Sequence, residues 1–133
     1  MNEHELFQIG EVAERVGLSL RTLRYYEEVG LVLPSGRSPG GFRLYNEADV
    51  ERVAFVKQMK PLEFSLDEIR ELLAIRDRLH GPDGPSDIER LETLTAAAEA
   101  RSRALMEHAR AASVFAASLR RLRTTAGSSN KRQ

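Results

Sequence analysis

From Ser86 to about Arg123 nothing in the sequence interrupts a helix. At the rise of an α-helix that run makes a rod of roughly 55 Å. A chain of 133 residues has room for one compact domain and an appendage, so the rod has no second domain to be buried in. Ser86-Asp87-Ile88-Glu89 has the form of a capping box at its start. Leu91, Ala98, Leu105, Ala112 and Leu119 recur every seven residues, and Thr95, Ser102, Ala109 and Ala116 follow the first four of them four places on. Such a seam, apolar to small throughout, predicts a dimerisation helix over residues 86–123 that pairs with its copy as a coiled coil. Ala98, Ser102, Ala109 and Ala112 would let the two backbones approach closely. The alternative is a rod folded back on its own N-terminal domain. Residues 124–133 are polar and are expected to form a disordered tail.

The clearest interruption is His80-Gly81-Pro82-Asp83-Gly84-Pro85, a hinge over residues 80–85 that no helix can cross. Before it, Ile9, Val12, Ala13 and Val16 recur at helical spacing and Gly17 follows as a stop. Ser19 is placed to cap a second helix with Leu20, Leu23 and Tyr26 facing inward and Gly30 ending it. Two short helices joined by Gly17-Leu18-Ser19 form a helix-turn-helix pattern. On the second helix Arg21, Arg24 and Tyr25 share the face opposite the leucines. Guanidinium offers planar, forked donors to phosphate and to guanine edges, and a tyrosine hydroxyl adds a donor on a stiff stem. Tyr25 is assigned to that outward set and Tyr26 to packing.

Leu31-Val32-Leu33-Pro34 and Phe42-Arg43-Leu44-Tyr45 flank a segment rich in Gly, Pro and Ser, which predicts a small β-hairpin carrying Arg37 at its tip and Arg43 on its return strand. A wing of this kind suits phosphate or minor-groove contact. Asn46, with Asp49 three residues on, opens a third helix to about Met59 whose inward side is Val50, Val53, Ala54 and Phe55. Pro61 forces a break, and Ser65-Leu66-Asp67-Glu68 opens a fourth helix with Leu66, Ile69, Leu72, Leu73 and Ile75 inward. Lys57 and Lys60 in this second loop region are placed to meet backbone phosphate. The fold expected is mainly α: a winged helix-turn-helix domain over residues 7–79, then the long helix.

The formal net charge is zero, so the distribution of cations, not their sum, points to nucleic acid. There is no cysteine, which excludes disulfides, thiolate metal sites and thiol redox chemistry. His80, Asp83 and Asp87 gather near the hinge and His108 lies on the rod, but one histidine in an Asp-Gly-Pro loop is a poor metal site, and no metal or cofactor is expected. No catalytic constellation can be identified, so no enzyme is expected. Neither a membrane span nor a signal peptide is apparent, and the expectation is a cytoplasmic protein.

Ile-Gly-Glu-Val-Ala, Thr-Leu-Arg-Tyr-Tyr-Glu, Gly-Phe-Arg-Leu-Tyr and Phe-Ser-Leu-Asp-Glu-Ile, in that order and followed by a long helix, resemble the MerR family of bacterial transcription regulators. The resemblance covers residues 7 to about 79 with specific motifs. It implies a homodimer held by an antiparallel coiled coil of the long helices, with two heads in successive major grooves of double-stranded promoter DNA. It further implies binding in an overlong promoter spacer and activation of RNA polymerase indirectly, by distorting that DNA. Each extra base pair turns one promoter element by about 35°, and a distortion costing on the order of 1–6 kcal/mol can restore the facing.

Carried over by motif, Arg21 and Thr22 become base readers, Arg24 and Tyr25 phosphate clamps, and Arg37 and Arg43 wing contacts. With the capping Ser19, with Tyr45, which either touches the DNA backbone or packs, and with Lys60, these complete the expected DNA-binding set. Two positions depart from the family pattern. Phe42 stands where tyrosine is usual, and Glu63 where glycine is usual, which puts an anion beside Lys60. Cysteine-based sensing is excluded, and with few residues after Arg123 no ligand-binding domain is expected there. An unidentified small-molecule effector, or control by abundance or a protein partner, remains. The alternative function is a DNA-architectural, excisionase-like protein that bends DNA without promoter-spacer activation.

Overall fold

The computed structural model describes residues 5–79 and 88–131. Strand β1 (Phe7–Gln8) leads directly into helix α1 (Ile9–Val16), followed by α2 (Leu20–Glu28), β2 (Gly36–Arg37), β3 (Arg43–Tyr45), α3 (Glu47–Met59), a 3₁₀ turn (Lys60–Leu62), α4 (Leu66–Leu79) and α5 (Ile88–Lys131). The chain divides into two units at Ile88–Glu89, a head and the long helix.

Both helices of the helix-turn-helix end as their glycines dictate. Gly17 takes φ 71° and Gly30 φ 80°, the left-handed conformation that glycine adopts without steric cost. Leu18 N–H donates to Ala13 O at 3.0 Å and Leu31 N–H to Tyr26 O at 2.9 Å, which satisfies carbonyls the helix ends leave open. Cations reach the same negative helix ends. Lys57 Nζ donates to Val16 O at 2.6 Å and Arg70 Nη2 to Val29 O at 2.7 Å. The ammonium of Lys57, placed by the sequence reading near phosphate, thus gives one of its donors to the end of α1 while the residue stays exposed. The Asn46–Asp49 and Ser65–Glu68 capping boxes both form.

Val12, Leu23, Tyr26, Leu31, Val32, Tyr45, Val53, Val56 and Leu73 are among the residues that close the core of the head. Four details differ from the sequence reading. The wing is a three-stranded antiparallel sheet in the order β1-β3-β2, with Phe7 opposite Tyr45 and Gly36 opposite Leu44. Leu31 and Val32 are not its first strand: they turn inward after the Gly30 cap, and the Leu31 carbonyl accepts from Arg52 Nε at 2.8 Å. The inward face of α3 is Val50, Val53, Val56 and Met59, whereas Phe55 is only partly buried beneath the Arg76 guanidinium, 5.3 Å from its ring centre. Leu20, at the first position of α2, is 41% exposed and stands off the inward stripe.

In the second unit, α5 continues to Lys131, past Arg123, where the sequence reading ends the helix and begins a disordered tail. Gly127 is not left-handed, so it does not act as a stop. The hinge at residues 80–85, the capping box at Ser86–Glu89 in its first two residues, and the His80–Asp83–Asp87 group lie outside the described residues. Leu105, Leu119, Phe115 and Leu122 are all exposed on α5. Phe115 and Leu122 stand three residues after Ala112 and Leu119, so they widen the seven-residue stripe on the same face.

Glu63 is the one non-glycine residue with positive φ among those described, at φ 54° and ψ 39°. A left-handed side chain costs roughly 1–2 kcal/mol, partly offset by the lower unfolded-state entropy relative to glycine. Glu63→Gly should therefore raise stability by up to about 1 kcal/mol in urea unfolding at unchanged m-value.

Candidate nucleic-acid interface

Helix α2 starts with a polar knot. Ser19 Oγ accepts from Thr22 N–H at 3.1 Å and donates to Thr22 Oγ1 at 2.9 Å. Ser19, assigned to the DNA-binding set, is thus engaged as the cap, which leaves the rest of the first turn to face outward. Leu23 and Tyr26 bury one side of the helix, so Arg21, Arg24 and Tyr25 emerge on the other, with Tyr25 51% exposed. The Tyr25 and Tyr26 rings lie 6.3 Å apart at 56°. Loss of hydration raises the pKa of the Tyr26 phenol, with a smaller contribution from Tyr25.

Two depressions flank α2. On the wing side, Arg24 shares one with Arg37, Phe42 and Arg43. Arg37 Nη1 donates to Gly41 O at 3.0 Å and braces the hairpin turn, where Gly41 has φ 85°. On the other side, Arg21, Thr22 and Tyr25 line a cleft with Lys60. The structure therefore brings most of the expected set together around one helix, divided between its two flanks.

Tyr45 is the exception. It is fully buried in the core and its hydroxyl donates to Glu27 Oε2 at 2.9 Å, so it packs and has no surface to offer DNA. Glu27 was missed as a functional residue. Its side chain is 11% exposed and it also binds Arg43 through two contacts, Nε–Oε1 and Nη1–Oε2, each 3.0 Å. This carboxylate joins the returning wing strand to α2. The only sequence signal was an acid among the arginines, which reads as charge balance unless the pairing is known. Burial, then the hydrogen bond to Glu27, raises the Tyr45 pKa well above its ordinary value.

Pairing separates the cations of the head. Arg15 is bound to Glu47, Arg43 to Glu27, Arg52 to Asp77 and Arg70 to Asp67. Arg21, Arg24 and Lys60 have neither an ion pair nor a side-chain hydrogen bond among the described residues. A positive helix face between a β-wing and a basic loop is the layout of a winged helix-turn-helix head.

Comparison with known proteins agrees. Residues 7–75 match the MerR HTH family regulatory protein profile and residues 50–125 the MerR DNA-binding profile. The chain belongs to the MerR family. It is 43% identical over 72 residues to the mercuric resistance operon regulatory protein of Bacillus cereus, covering 54% of each chain. The chain spans about half the length of the curated relatives it matches. Among solved structures, the transcription regulator PbrR691 from Ralstonia metallidurans CH34, in complex with lead(II), is 35% identical with a TM-score of 0.57, covering 86% of this chain and 85% of its own. HiNmlR, a MerR family regulator lacking the sensor domain and bound to promoter DNA, shares the fold at TM-score 0.66 and 22% identity, with 78% and 75% coverage.

Tyr45→Phe removes a buried donor to a carboxylate and should cost about 1–2 kcal/mol of stability near neutral pH. A raised phenol pKa stabilises the fold fully below the unfolded value near 10 and loses that contribution as pH rises toward the folded value. The gap between wild type and Tyr45→Phe in chemical denaturation should therefore narrow above about pH 10.

Proposed function

We propose that the chain is a homodimeric, sequence-specific transcription regulator that binds an inverted repeat in a promoter spacer and distorts the DNA to control initiation. The observation that carries this reading is the set of unpaired cations, Arg21, Arg24 and Lys60, along the two flanks of α2 while neighbouring arginines are neutralised. Arg21 and Thr22 read base edges, Arg24, Tyr25 and Lys60 hold phosphates, and Arg37 follows the backbone from the wing. Arg43, half neutralised by Glu27, holds the wing and contributes less to phosphate binding. No catalytic role is assigned to any of these residues.

Residues 7–79 form the DNA-binding domain in this reading and the long helix joins two of them. The exposed stripe of Leu105, Phe115, Leu119 and Leu122 supports pairing, because an apolar face of that length is unstable in water unless covered. RNA polymerase is reached only through the DNA. Among the described residues no helix is long and apolar enough to cross a membrane, and the reading places the protein in the cytoplasm, with its DNA.

The test is selection of bound fragments from genomic DNA, then transcription from the best site as its spacer is shortened one base pair at a time. Dependence on the protein should vanish as the spacer reaches ordinary length. Sites unrelated to promoters, or activity indifferent to spacer length, would replace this reading with an architectural one. On the same fragment Arg24→Ala should weaken binding for all sequences alike and reduce the salt slope by about 1. Leu105→Asp should convert the dimer to monomer in sedimentation, and a mutant that still sediments as a dimer would rule out this seam.

A further inference from the structure

The cleft between α2 and the Lys60 loop has a volume of about 500 Å³, within the range of small-molecule sites. Its depth can be read from exposure. Tyr26 and Val56 are buried and form its floor, Phe64 and Ile69 are half-buried walls, and Arg21, Tyr25 and Lys60 are exposed at the rim. The lining is therefore apolar and aromatic below and doubly cationic above. Neither rim cation has an acidic partner among the described residues.

A phosphodiester alone satisfies the rim and leaves the apolar floor wet. A neutral hydrocarbon fills the floor and strands two cations beside it. The chemistry that satisfies both is a flat aromatic body bearing one carboxylate. The rings of Tyr25 and Tyr26, tilted at 56°, and of Phe64 offer aromatic edges and faces to such a body. The guanidinium of Arg21 offers the carboxylate a two-point fork and Lys60 a second charge.

We infer that this cleft is an effector site for a small aromatic carboxylate, and that its occupation competes with DNA. The competition rests on the DNA-binding reading above, because Arg21, Thr22, Tyr25 and Lys60 belong to both surfaces. An effector held here needs no further domain, since every group that holds it lies in the head. It acts by neutralising the rim cations and by filling the space a phosphate would approach.

The experiment uses the full chain, isotopically labelled, titrated with 2-naphthoate and separately with the uncharged 2-naphthamide, with amide chemical shifts as the readout. Saturable shifts should cluster at Thr22, Tyr25, Tyr26, Phe64 and Ile69. Removing the carboxylate charge, or the Lys60→Gln substitution at an exposed position, should weaken binding about tenfold. Absence of saturable shifts, shifts centred elsewhere, or equal affinity for the amide would overturn the site. A second arm measures binding of the selected DNA fragment with and without 2-naphthoate. Affinity should fall for wild type and fall less for Lys60→Gln; if the ligand binds and DNA affinity is unchanged, the effector role is overturned. Protein that binds 2-naphthoate in the cleft but no DNA fragment at all would refute the regulator reading, which the first arm does not depend on.

Discussion

The carboxylate of Glu27 holds the head in its working shape. It sits on α2, almost shielded from water, and takes both the guanidinium of Arg43 and the hydroxyl of Tyr45. Tyr45 pairs with Phe7 across the sheet, so one side chain ties α2 to β3 and through it to β1. An anion so nearly shielded is costly when unpaired and tolerable when its lone pairs are filled, as here by three donors. A charged contact thereby joins α2 to the wing, in addition to the few residues of hairpin ladder.

A second division of labour runs through the other cations. Lys57, Arg52 and Arg70 donate to backbone carbonyls at Val16, Leu31 and Val29, where the chain leaves a helix or turns inward. Helix-turn-helix heads are built from short helices, and short helices have a large share of unsatisfied end groups. Long basic side chains from α3 and α4 meet that need from the surface of the head. In the head, among the described residues, Arg21, Arg24 and Lys60, which have neither an ion pair nor a side-chain hydrogen bond, lie on the two flanks of α2.

The helices were legible because their punctuation is chemical and local. Gly17, Gly30, Asn46 with Asp49, and Ser65 with Glu68 each fix a backbone conformation from within a few residues. The sheet was less so. β1 is two residues long, and its pairing with β3 joins positions far apart in sequence, which no periodicity records. Leu31 and Val32 read as strand because apolar runs do so whether they pair with a neighbour or turn into a core. The cationic face of the candidate site was readable from helical spacing, whereas the roles of Tyr45, Lys57 and Glu27 depended on partners 18, 41 and 16 residues away. For Tyr45, which the sequence leaves open between the DNA backbone and packing, burial decides for packing. The stripe on α5 is legible in its seven-residue repeat, and Phe115 and Leu122 belong to a parallel series three places after Ala112 and Leu119, outside the seam that the repeat and its four-place companions define.

The tyrosine pair on α2 also decides how the protein interacts with light. The chain has three tyrosines and no tryptophan, and all three tyrosines, Tyr25, Tyr26 and Tyr45, lie in the head. Its near-ultraviolet absorption and intrinsic emission therefore report on α2 and its immediate surroundings, whereas the far-ultraviolet dichroism draws heavily on the backbone of α5. Two optical bands thus observe the two units separately, so unfolding of the long helix and loosening of the head can be told apart in unlabelled protein.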